Sequence, residues 1–184
     1  AGRMQPVWVT VSVPEDAKPG KYSGKLTVTA ANAKARSLPI EIRVADHVLP
    51  PVRDWTFHLD LWQNPYAVAR LESVPLWSEE HFEAMRPVMS LLADTGQKSV
   101  TATLINRPWN GQTYDAFGSM VTKVRRIDGT WLFDYTIFDR WVEFMFSLGI
   151  DRQINCYSMI PWAMEFDFYN QATGLNDCVQ TVAG

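Results

Sequence analysis

Positive charge is not in excess in this sequence: 17 Lys and Arg stand against 20 Asp and Glu, a net of −3 with neutral histidines. A surface that tracks phosphates needs a strongly basic face, so the balance argues against a nucleic-acid partner. Cysteine is scarce. Cys156 and Cys178 are too few for a disulfide scaffold, and neither has a partner at zinc-ligand spacing. Both read as buried structural thiols. Apolar runs are short: none reaches the roughly 18 residues of a membrane-crossing helix. The opening stretch 1–6 carries no apolar signal region. Also missing are a Gly-x-Ser-x-Gly elbow and a glycine-rich phosphate loop after a strand. No metal site and no cofactor are expected.

What is present describes a globular protein. Hydrophobic residues make up 47% and charged residues 20%, which excludes disorder. Eight Trp and 11 Pro are the unusual entries, and the chain changes character between residues 46 and 53.

Before that point the pattern is β. Residues 7–13, 22–30 and 38–44 alternate apolar and polar positions, as half-buried antiparallel strands do. Pro14, Pro19 and Gly20 mark one turn, and the polar stretch 32–37 a second. Residues 7–45 therefore read as a three-stranded meander with one apolar face, and residues 1–46 as part of a β-sandwich, since that face needs a second sheet to cover it. The need for strands not seen here is a first sign of a piece of something longer. Residues 47–54, with Pro50 and Pro51, form a stiff linker.

From residue 55 strands alternate with helices. A strand is expected over 55–62. A helix follows, with Ser78 as N-cap, Glu79 and Glu80 in its first turn, a stripe of Phe82, Met85, Met89 and Leu92, and Gly96 as its stop. Pro87 should kink it or break a hydrogen bond within it. A second strand is expected over 99–106. A second helix spans about 136–148, with Thr136 and Asp139 as a capping-box variant, a stripe of Phe138, Trp141, Met145 and Leu148, and Gly149 at its end. A third strand is expected over 153–160. This order predicts parallel βαβ units. The long connection after strand two holds Asp128-Gly129 between two short runs, a hairpin signal at about 119–135. Such an elaborated loop is a usual place for binding surface.

In a parallel barrel the C-terminal strand ends face the site. Here they gather His58, Asp60, Trp62 and Gln63, with Asn64; then Asn106 and Trp109, with Arg107; then Tyr157 and Trp162, with Ser158 and Met159. Each end mixes amide, carboxylate or hydroxyl groups with an indole or phenol. Saccharides want that mixture, stacking C–H faces on rings while hydroxyls take polar contacts. Each residue also has a plainer reading. His58 fits a hydrogen-bonded interior histidine. Asp60 needs a partner, with Arg53 or Arg107 as candidates, or a ligand. The three indoles fit loop packing. Trp55, Trp131 and Trp141 read as core, His47 and His81 as surface, and Glu143 as a solvated position. Lys123, Arg125 and Arg126 are too few for a binding patch.

The run VSVP at 11–14 with PGKYSG at 19–24 resembles a β-sandwich signature found beside bacterial carbohydrate-active domains. The runs FHLDLWQNP at 57–65, WNGQT at 109–113, DGTW at 128–131, FDRW at 138–141 and CYSMIPW at 156–162 resemble glycoside hydrolase family 123. The resemblance covers essentially the whole chain. It implies a β-sandwich followed by a (β/α)₈ barrel, and removal of terminal β-linked N-acetylgalactosamine with retention. The implied mechanism is substrate-assisted: the sugar's 2-acetamido oxygen attacks the anomeric carbon, an Asp orients that acetamide, and the adjacent Glu is the general acid. An Asp followed directly by Glu occurs nowhere in this sequence.

The expectation is therefore a fragment, holding about three βα units from residue 55 to 184. It supplies part of a sugar pocket, has no catalytic residue of its own, and is inactive alone. An open strand edge and an uncovered sheet face predict self-association or a complementing chain. The resemblance also implies a secreted, periplasmic or cell-surface location in a bacterium. A non-catalytic carbohydrate-binding protein, a glycosidase-like protein of different sugar specificity, and an interaction module remain open.

Overall fold

A computed structural model describes residues 4, 6–157, 162 and 164–180. The fold is mixed α/β, and contacts divide it into two units, Ala1–Pro50 and Pro51–Gly184.

In the first unit β1 (Gly20–Ala30) pairs antiparallel with β2 (Ala33–Val44), in register from Gly20↔Val44 to Val28↔Arg36, with a shift before the last pair, Ala30↔Ala33. Cross-strand pairs stitch it: the hydroxyls of Thr27 and Ser37 lie 2.9 Å apart, and Lys21 meets Glu41 at 2.6 Å. Pro39 is tolerated inside β2 because a two-stranded ribbon leaves each strand one unpaired side. The expected third strand is not formed. Residues 7–13 adopt no strand, and the sheet among the described residues has two members. Alternation describes side chains, whereas a strand requires a hydrogen-bonded neighbour, and no other strand of this sheet takes residues 7–13 as a partner.

The second unit is built around β3 (Ser99–Thr103) and β6 (Gln153–Tyr157). They pair in parallel from Ser99↔Gln153 to Thr103↔Tyr157. Both expected strands exist; β3 is shorter than foreseen, and residues 158–160 of the expected 153–160 strand lie outside the described ones. Helices α2 (Glu79–Asp94) and α3 (Thr136–Ser147) cover one side of β3. Phe82, Met85 and Met89 of α2, Val100 and Ala102 of β3, and Trp141 and Met145 of α3 form the core, with Ile150. Burying each large side chain contributes roughly 1.5–3 kcal/mol. The Trp141 indole N–H donates to the Thr101 carbonyl at 3.0 Å, tying α3 to β3.

The caps are partly as expected. Ser78 Oγ accepts from the His81 N–H at 3.2 Å. Pro87 lies inside α2 without ending it, on an exposed position where water can reach the unpaired carbonyl. At α3 the capping box is not used. Asp134 instead accepts from the Thr136 N–H at 2.9 Å and from its hydroxyl at 2.6 Å.

Helix α1 (Pro65–Glu72) was not foreseen. Its signal was present: Asn64 Oδ1 accepts from the Ala67 N–H at 3.0 Å, and proline stands at the first helical position. The hairpin of β4 (Thr122–Arg125) and β5 (Trp131–Asp134) forms around Asp128-Gly129, with Gly129 at φ 83°. A second, unforeseen hairpin joins β7 (Glu165–Asn170) to β8 (Leu175–Gln180), and the two make a four-stranded sheet in the order β5-β4-β7-β8.

Several burial expectations are corrected. His81 is fully buried, not a surface residue. Cys156 and Cys178 are exposed free thiols. Trp131 is 40% exposed on the outer hairpin, not core.

Candidate functional site

The first strand of the second unit is expected over 55–62. Among the described residues one bridge forms there, Leu59↔Gln97, with the Lys98 N–H donating to the Leu59 carbonyl at 2.9 Å. Beyond it, side-chain amides replace the backbone ladder. Gln97 Oε1 accepts from the Leu61 N–H at 2.8 Å, and Gln97 Nε2 donates to the Ser99 carbonyl at 2.6 Å. Gln63 Oε1 accepts from the Thr101 N–H at 2.7 Å, while its Nε2 donates to the carbonyls of Leu61 and Ser99. Both glutamines are 2% exposed. Gln63, a candidate sugar ligand by sequence, is thus committed to backbone groups and holds the segment in place.

This tie sets up three tiers across 58–62, β3 and β6. In the first, His58 Nε2 and Ser99 Oγ lie 3.2 Å apart. In the second, Asn155 Nδ2 donates to Asp60 Oδ2 at 2.6 Å, with Thr101 opposite Asn155 in the ladder. In the third, Trp62 meets the Tyr157 ring edge-on at 5.1 Å, with Thr103 opposite Tyr157. The period of two along each segment puts all these side chains on the face away from the α2–α3 core.

The partner of Asp60 is therefore Asn155, neither of the arginines. The other carboxylate oxygen, Asp60 Oδ1, and Thr101 Oγ1 are shielded from solvent and have no hydrogen-bond partner among the described residues. Burial raises the Tyr157 hydroxyl above the ordinary tyrosine range, and the charge of Asp60 raises it further. Tyr157 therefore stays a protonated donor at neutral pH.

At the rim the rings converge. Trp62 stacks on Trp109 at 4.9 Å with planes 23° apart, and Tyr157 meets Trp109 edge-on at 4.9 Å. Trp109 is 7% exposed and packs on Phe117, so it supports the stack and presents no open face, whereas Trp62 is 57% exposed. Trp162 is 63% exposed, and its backbone N–H donates to the Pro108 carbonyl at 3.2 Å, next to Trp109. Asn106 is exposed and accepts the Ser119 N–H at 2.8 Å. Its amide serves the loop and not the ring cluster. Ser158 and Met159 lie outside the described residues.

Helix α1 anchors the loop that carries Trp109. The Tyr66 hydroxyl donates to the Gly118 carbonyl at 2.8 Å, Tyr66 packs on Phe117 at 4.9 Å, and Arg70 pairs with Asp115 at 2.6 Å. Sequence reasoning missed Asn155, Tyr66 and Phe117. Asn155 was recoverable, because it shares the parity of Tyr157 on β6. Elsewhere, Glu165, Asp167 and Cys178 bring ligand atoms within 4.8 Å of one another. Acidic groups this open commonly cluster without an ion, and no metal is assigned.

A parallel β–α–β unit with a face of amides and hydroxyls and a rim of rings is a mixed α/β domain with an open polar site. The family of that domain follows from comparison: the chain belongs to glycoside hydrolase family 123. The model of its catalytic domain matches residues 62–184, and that of a family 123 N-terminal domain matches residues 1–30. A similar solved structure is a family 123 glycoside hydrolase from Clostridium perfringens, described in the context of glycolipid glycan hydrolysis. It is 32% identical, with a TM-score of 0.84 over 91% of this chain and 30% of that chain. This chain thus spans about a third of the relative's length. No curated protein matches.

Proposed function

We propose that β3 and β6 are neighbouring strands of a (β/α)₈ barrel, that residues 58–62 occupy a strand's place beside β3, and that their rim is part of the pocket of a glycosidase for terminal β-linked N-acetylgalactosamine. The observation that carries this reading is the exposed Trp62 stacked on the buried Trp109 and flanked by the Tyr157 hydroxyl. Trp62 offers a fixed ring for a sugar's C–H face. Trp162 adds a second open indole, and Tyr157, kept protonated, adds a donor for a sugar oxygen. His58 and Asp60 lie in the tiers beneath; Asn106 stands on the adjoining loop.

The reaction proposed is retaining and substrate-assisted, with the sugar's acetamide oxygen as nucleophile. The residues of this chain bind and orient. None forms the adjacent Asp-Glu pair that the acid step requires, so the chain is a sugar-binding part of a glycosidase. That absence also favours a second reading, a carbohydrate-binding protein without hydrolysis. Self-association through open strand edges and an exported location belong to the same proposal.

Titration of the chain with N-acetylgalactosamine, read by tryptophan fluorescence, tests it. The expected result is a saturable change that Trp62→Ala weakens about tenfold, in line with the roughly 1–1.5 kcal/mol of a ring contact. No turnover of an aryl β-N-acetylgalactosaminide is expected. Hydrolysis above a blank would show acid chemistry in these residues, and unaltered binding by Trp62→Ala would remove the rim from the site.

A further inference from the structure

Strands β4 and β7 are joined by only two register pairs, Val124↔Tyr169 and Arg125↔Asn170. Beyond them the seam of the four-stranded sheet opens into a cavity of about 340 Å³. Lys123 lines it from β4, Asp167 and Phe168 from β7, and Asn176 from β8. Asn106 and Ser119 come from the segment that leaves β3.

The chemistry of this lining is mixed in a specific way. Lys123 is 8% exposed; its ammonium donates to Ser119 Oγ at 3.0 Å and lies 5.3 Å from the centre of the Phe166 ring. Burial lowers its pKa, and the negative charge of Asp167 works in the opposite direction. Asn176 offers a donor and an acceptor, and Asn106 a donor, its Oδ1 already accepting from the Ser119 N–H. An anion entering here would meet Asp167, and a cation would meet Lys123. A neutral molecule with adjacent hydroxyls satisfies both, since each hydroxyl donates to a carboxylate and accepts from an ammonium or amide. The volume lies near the lower end for small-ligand sites and suits a single sugar unit. Its connection to the rim is short in sequence: Asn106 and Trp109, which carries Trp62, belong to the same loop.

We propose that this cavity is a second saccharide subsite, which takes the neutral sugar unit next to the terminal one in a glycan chain. The proposal rests on the reading of the rim as the place of the terminal sugar. It makes the ligand an oligosaccharide and assigns the two hairpins the task of reading its second unit.

Calorimetric titration of the full chain with N-acetylgalactosamine and with a neutral oligosaccharide ending in it tests this. The longer glycan is expected to bind more tightly. Asp167→Asn, which keeps the shape and removes the charge, and Asn176→Ala, at an exposed position, are each expected to remove about tenfold of its affinity. Neither should change binding of the monosaccharide, which also shows that the variants are folded. Should the longer glycan gain nothing, or keep its advantage in both variants, the subsite is overturned and the rim stands. Should neither sugar bind, the rim reading falls and takes the subsite with it. Loss of the oligosaccharide in Asp167→Asn with no effect of Trp62→Ala would sink the rim and, with it, the cavity's place as the second unit's subsite.

Discussion

His81 shows how completely a neighbourhood can decide a side chain's protonation. Its Nδ1 accepts from the Trp77 N–H at 3.1 Å, so the proton sits on Nε2, which donates to the Pro65 carbonyl at 2.9 Å. A second proton would set two N–H groups against each other. Burial lowers its pKa, only partly offset by the bond to Pro65. The folded value therefore lies below the unfolded one of about 6.5. As pH falls from about 6.5 toward the folded pKa, the unfolded chain takes up the proton first and stability drops; above about 6.5 the contribution is complete. Thermal melts at pH 7.5 and 5.5 should show this loss, and His81→Gln, which does not titrate, should flatten it. An equal pH slope in the variant would place the acid sensitivity elsewhere. Gln63 is the other residue whose chemistry is local. Gln63→Leu leaves the buried Thr101 N–H without its acceptor, and it should lower unfolding stability by about 1–3 kcal/mol. It should also loosen Trp62, so sugar affinity falls although the rings are untouched.

Elements whose signal is periodic were legible; those held by side chains were not. The stripes of Phe82, Met85 and Met89 and of Trp141 and Met145 point into one core, as their spacing required. Asp128-Gly129 gave the first hairpin, because few residues other than glycine accept its backbone angle. The strand over 55–62 alternates well, yet its neighbour is engaged by Gln63 and Gln97, and no pattern of hydropathy announces an amide standing in for a ladder. The second hairpin escaped because Leu175–Gln180 mixes Asn and Asp into an exposed strand whose alternation is faint. Of the candidate site, the ring cluster was legible as repeated aromatics at strand ends, while Asp60's partner was not, since it lies 95 positions away. Helix α1 is where the missed signal has the clearest consequence. Asn64→Ala removes its cap and should cost about 1 kcal/mol, measurable by urea unfolding. It should also weaken sugar binding, because α1 holds the Trp109 loop through Tyr66 and Arg70. A loss of stability with unchanged binding would mean that the loop holds its shape without the helix.

The two units differ in what can keep them folded. Pro51–Gly184 has a core in which Met85, Val100, Ala102, Trp141, Met145 and Ile150 are fully buried. Ala1–Pro50 has a two-stranded ribbon in which Tyr22, Leu26, Val28 and Leu38 are at least 36% exposed, while Ile40, Ile42 and Val44 are half-buried and no residue is fully buried. A lone hairpin is marginal in water, and its stability depends on whatever covers it. Hydrogen exchange should therefore separate the units: amides of β3, α2 and α3 should exchange slowly, and those of β1 and β2 within the fraying range. Concentration supplies the further test, because the proposed self-association stabilises only what it covers, by mass action. If copies pair through the open edges of β1 and β2, slowing of exchange in Gly20–Val44 should grow with protein concentration in step with the mass seen by light scattering. The core amides should change little. A constant monomer mass with unprotected β1 and β2 at every concentration would rule out pairing between copies, leaving a different chain to cover that face.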